Sequence, residues 1–197
     1  ERARPDRVDE APPAVRALVA VLLASLIVAW GLLVRRFGEG DVYAVLGPYA
    51  CLVIGACVLL RPKSLRRWFR LDRKAIWIGL AVGAGMTALT YPVFQLFASF
   101  LPSLDGAVEG LYRGARGTTL LRALIWTLAA VVAEELMFRG VWPEALAEWV
   151  SARTAYAISL VTYAGAQLGT GSFIVALMAA VCGAIWTIQR QYTGTLL

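Results

Sequence analysis

The sequence predicts an all-α, polytopic transmembrane bundle, and three observations carry that prediction. Hydrophobic residues make up 59% of the 197 positions, and charged residues only 16%. The mean hydropathy is +0.67, more apolar surface than a soluble domain of this length could bury. The apolar residues also fall into a countable series of long runs, as a chain of membrane-crossing helices requires.

Taken in order, the runs predict about six spans and the start of a seventh. Ala17–Val34 is the first, broken only by Ser25, and Val42–Leu60 is the second. Ala75–Leu101 is the third and is long enough to tilt or bend, with Pro92 as the expected bend point. Leu120–Phe138 is the fourth, Thr154–Leu168 a short fifth and Phe173–Ile188 the sixth. Another hydrophobic run opens at Leu196, and a spanning helix needs about 20 residues. The chain, which begins at Glu1, therefore reads as part of a longer protein. Residues 1–16 read as a charged, disordered N-terminal segment. Residues 17–119 read as N-terminal spans, and 120–197 as the part that carries the paired carboxylates Glu134 and Glu135.

Charge orients the bundle. Arg61, Lys63, Arg66, Arg67, Arg70, Arg73 and Lys74 crowd one loop. With alternating spans, that side also collects Arg2, Arg4, Arg7, Arg16, Arg139, Arg153 and Arg190, fourteen of the nineteen basic residues. Loop 61–74 is therefore expected in the cytoplasm. The net charge of +6 is accounted for by topology and by anionic lipid at that loop, so no nucleic-acid partner is expected. The preference for Arg over Lys is the usage of high-GC bacteria, which points to a bacterial cytoplasmic membrane.

The cysteines Cys51, Cys57 and Cys182 have neither metal nor disulfide spacing, and the chain contains no histidine. That excludes His-Glu-x-x-His zinc chemistry and any imidazole base. Neither a metal nor a cofactor is expected. No internal repeat or pair of broken helices suggests a transporter.

Against this background, Val-Val-Ala-Glu134-Glu135-Leu-Met-Phe-Arg139 is unexpected. Each charge at the bilayer centre costs roughly 2.5–3.5 kcal/mol, so an ionisable residue in a span is a functional hypothesis by default. Glu135 and Arg139 are spaced i,i+4 with the glutamate first, the favourable order for a pair. Glu134 lies about 100° further round the helix, on the face of Phe138. Arg139 thus answers one carboxylate and leaves the other to hold a water, as a general base must. A structural role stays open beside this: Arg139-Gly140 with Pro143 beyond also reads as a helix C-terminus, and Glu134 could answer Arg122 or another subunit.

A second polar face follows. Tyr163 and Gln167 are i,i+4, with small residues between them. In an antiparallel hairpin, facing residues are equidistant from the turn. The midpoint of 134 and 167 falls in Val150-Ser151, where Ser151 is a natural N-cap. Gln167 then meets Glu134, provided that the first helix continues through 141–150 with Pro143 as a kink. If that segment lies flat on the membrane surface, the depths do not match. Ordinary interhelical hydrogen bonding is the alternative use of Tyr163 and Gln167.

These residues resemble a known family. Glu134-Glu135-Leu-Met-Phe-Arg139 is similar to the Glu-Glu-x-x-x-Arg signature of the CPBP intramembrane proteases, which include CAAX-processing endoproteases and bacteriocin-maturation or self-immunity proteins. The resemblance covers roughly 120–197. It implies a CPBP-protease-like bundle in which Glu134 activates a water, while Glu135 and Arg139 support the site. Tyr163 and Gln167 fall on the family's Phe-x-x-x-His motif, with Gln in place of His. Gln167 would orient the water without carrying a proton, and Tyr163 would support it. A third motif, His followed four residues later by Asn or Asp, would come shortly after Tyr192–Leu197. The expected function is a glutamate-type endopeptidase acting on a membrane-associated or lipidated protein tail or a peptide precursor. The alternative is an inactive relative that serves as a binding, immunity or assembly subunit of a membrane complex.

Overall fold

The computed structural model describes residues 12–37, 42–69, 73–100, 106, 109 and 117–194. Residues 1–11, most of the expected N-terminal segment, lie outside the described residues, as does the run opening at Leu196. Arg70 also lies outside them, as do the side chains of Lys63, Arg66 and Arg67.

Among the described residues the regular structure is entirely helical. α1 is Pro13–Phe37, α2 is Val42–Leu60, α3 is the short Pro62–Trp68 and α4 is Arg73–Phe100. α5, Leu120–Glu134, runs directly into a π-helical turn, Glu135–Val141, and then into α6, Trp142–Leu146. α7, Ala152–Gln167, ends in a 3-10 turn, Leu168–Thr170, and α8 is Phe173–Thr193. The ends carry local signals. Thr119, Ser151 and Ser172 cap α5, α7 and α8 by accepting from the backbone N–H of Arg122, Thr154 and Val175. Gly171 and Gly194 take the left-handed conformation after the 3-10 turn and α8. Pro92 lies inside the unbroken α4.

Among the described residues, four helices are long and apolar enough to cross a membrane: Pro13–Arg36, Tyr43–Leu60, Arg73–Phe100 and Phe173–Thr193. The other two expected runs are helical as well but shorter or divided. The fourth expected run divides into α5 and the π turn, and the fifth forms a helix of 16 residues. The two meet where Glu134 accepts from Tyr163 and Gln167. The large apolar residues left on the outside, among them Leu18, Val28, Leu59, Leu80, Leu124 and Phe173, suit a lipid surround. The molecule is an all-α membrane bundle.

The packing converges on residues 133–145. Leu136 to Val141 are all buried, with Val141 and Ala145 at 0% and 1% exposure. α2 lies along α5, while α7 and α8 form a hairpin against the π turn. α1 presses on α7 and the 3-10 turn. A Cβ on Gly169 would lie 2.3 Å from the Gly31 carbonyl oxygen, so this close approach of two backbones requires glycine. α3 closes the end of the π turn. Trp68 is fully buried, its indole N–H donates to Glu144 at 3.2 Å, and Ser64 donates to the same carboxylate at 2.9 Å.

Arg61 also turns inward. It is 7% exposed and pairs with Glu148 at 2.7 Å. The sequence places it with the lipid-facing cations, but its guanidinium ties the basic loop to the turn before α7. Arg73 and Lys74 are exposed at the start of α4.

Candidate active site

Pro143 explains the local architecture. It has no N–H to return to the carbonyls one turn earlier, and the chain widens there into i→i−5 bonding, with Trp142 donating to the Met137 carbonyl. Two carbonyls in this turn accept from side chains. Ser159 Oγ donates to Phe138 O at 2.5 Å and Arg190 Nε to Arg139 O at 3.4 Å. The helix therefore does not stop at Arg139-Gly140, where its sequence resembles a C-terminus. Gly140 has another use: a Cβ there would lie 2.8 Å from the Trp68 ring.

On one side of this turn, Arg139 Nη1 donates to Glu135 Oε1 at 2.9 Å. Arg139 is 1% exposed. Its guanidinium carbon sits 4.4 Å from the centroid of the Tyr163 ring and 5.2 Å from that of Trp186, so aromatic faces screen the charge.

The other side belongs to Glu134. Tyr163 Oη donates to its Oε2 at 3.0 Å, and Gln167 Nε2 donates to its Oε1 at 3.1 Å. The expected meeting of Gln167 with Glu134 is therefore made, the chain continuing helically through the π turn and α6. Each carboxylate oxygen keeps a further lone pair. Phe138, one turn on, packs on Tyr163 with ring centroids 4.9 Å apart. Glu134 and Phe138 also line a cavity of about 20 Å³, walled further by Ile27, Trp30, Tyr49, Ala50, Val53, Ala130, Ala133 and Met137. That is room for one water.

The structure thus brings together all five residues singled out from the sequence: Glu134, Glu135, Arg139, Tyr163 and Gln167. It adds others that the sequence did not mark. Trp30 and Tyr49 come from the first two spans, where an aromatic with a polar end was the only available signal. Arg190 had been counted only as a topological charge. Among the described residues no group of His, Cys, Asp and Glu has the geometry to hold a metal.

A carboxylate fixed by two neutral donors beside a one-water cavity, next to a separately neutralised ion pair, has the layout for activating water. No curated protein and no solved structure matches the chain. Residues 116–197 match the family model described as type II CAAX prenyl endopeptidase Rce1-like. Over these residues the chain is similar to the type II CAAX prenyl endopeptidases of the CPBP family.

Proposed function

We propose that the protein is a glutamate-type intramembrane endopeptidase that cleaves a lipidated or membrane-associated protein tail, or a peptide precursor. The observation that carries this reading is Glu134, held by Tyr163 and Gln167 and lining a cavity the size of one water. Glu134 takes a proton from the water as its oxygen bonds to the scissile carbonyl carbon. The resulting oxyanion collapses, the C–N bond breaks, and Glu134 returns the proton to the leaving nitrogen. The water's OH ends on the acyl product and its hydrogen on the amine. Gln167 orients Glu134 and takes no proton. Glu135 and Arg139 hold the turn that presents Glu134.

In this reading the membrane is a bacterial cytoplasmic membrane, with loop 61–74 on the cytoplasmic side. Anionic lipid meets Lys63, Arg66, Arg67, Arg70, Arg73 and Lys74, and Arg61 is reserved for Glu148. One observation favours a second reading. The chain has no histidine, and both donors to Glu134 are neutral groups that neither take up nor release a proton at neutral pH. An inactive binding or assembly subunit would fit that.

Mass spectrometry of membrane-protein tails separates the two, in cells expressing the full-length parent, Glu134→Gln or Gln167→His. Loss of processed tails with Glu134→Gln, and equal or greater processing with Gln167→His, supports the enzyme. Identical tails in all three strains support the subunit.

A further inference from the structure

Trp30 carries an unanswered polar group at the Glu134 site. It lies in α1 and lines the same cavity as Glu134. Its indole nitrogen is buried, and among the described residues nothing accepts from it. The neighbouring polar groups are accounted for. The Tyr49 hydroxyl donates to the Leu26 carbonyl, and the two Glu134 oxygens accept from Tyr163 and Gln167. Buried indole N–H groups ordinarily have partners, and phenylalanine or leucine would fill an apolar wall without leaving a donor behind. The position is also held firmly. Trp30 packs on Tyr49 with ring centroids 5.3 Å apart. The adjoining Gly31 lies against the backbone of Ala166 and Gly169, on either side of Gln167.

We propose that the Trp30 indole N–H is the hydrogen-bond donor that positions the water in the Glu134 cavity, the water accepting from Trp30 and donating to Glu134. A buried water needs two to four polar partners, and this pair, both lining the cavity, supplies an acceptor and a donor. The kinetic part of the proposal rests on the endopeptidase reading; the water site itself does not.

The test uses the full chain in lipid nanodiscs with 15N-labelled tryptophan. In the parent, the Trp30 indole proton should show cross-relaxation with a long-lived water. Ala50→Val, which adds methyl groups to the cavity wall, should remove that cross-peak. Absence of the cross-peak in the parent, or its survival in a folded Ala50→Val, overturns the proposal. In the tail-cleavage assay, Trp30→Phe keeps a ring but not the N–H. It should lower kcat by about 10²-fold with KM little changed, and an unchanged kcat overturns the positioning role. If the cross-peak behaves as expected while Glu134→Gln still cleaves, the endopeptidase reading fails and the water site stands.

Discussion

Glu134 and Glu135 are adjacent in sequence and meet different partners where α5 enters the π turn. Glu135 is answered by a full charge, Arg139, whose guanidinium is itself enclosed by Tyr163 and Trp186. Glu134 accepts its hydrogen bonds from the neutral Tyr163 hydroxyl and Gln167 amide, and it borders the cavity. The first arrangement neutralises a carboxylate and anchors a fold. The second orients a carboxylate and keeps its basicity available. One turn of helix thus separates holding the site from using it, because about 100° of rotation per residue points two neighbours at different walls of the bundle.

Removing the cation should break the holding side most severely. Arg139→Ala leaves Glu135 inside the bundle without its partner and should cost about 3–5 kcal/mol. Adding Glu135→Gln should recover much of that, as read by thermal unfolding in detergent. Gly140→Ala comes next, since its methyl would meet the Trp68 ring within a packed core, and overpacking of this kind costs about 1–3 kcal/mol. Ser159→Ala leaves the Phe138 carbonyl without its donor and should cost a comparable ~1–3 kcal/mol. It should also loosen the π turn, seen as faster amide exchange at residues 138–142. Ser151→Ala removes only the exposed cap of α7 and should cost ~1 kcal/mol. Melting all of these to the same extent would mean that the turn is not where the stability is concentrated.

The Glu135–Arg139 pair was legible because i,i+4 spacing survives the widening of the helix. The meeting of Glu134 with Gln167 was legible because hairpin geometry depends on residue count and on a good cap at Ser151. The π turn was not legible. Pro143 and Gly140 taken alone signal an ending, and only Ser159, Arg190 and Trp68, all distant in sequence, show why the helix continues. Arg61 was placed with the outward charges because its partner Glu148 lies far along the chain. Trp30 was hidden for a simpler reason: a tryptophan in an apolar run looks like any other lipid-facing residue until the neighbouring helices arrive.

The separation of the two carboxylates can be measured directly by comparing the unfolding of Glu134→Gln and Glu135→Gln in the same detergent. Each change removes one charge and keeps nearly the same shape. If the two carboxylates do different jobs, Glu134→Gln melts close to the parent, because its hydrogen-bonding neighbours are neutral. Glu135→Gln falls well below it, by the equivalent of about 3 kcal/mol, because Arg139 is left as an uncompensated buried charge. Equal losses in the two variants, or a larger loss for Glu134→Gln, would contradict the account.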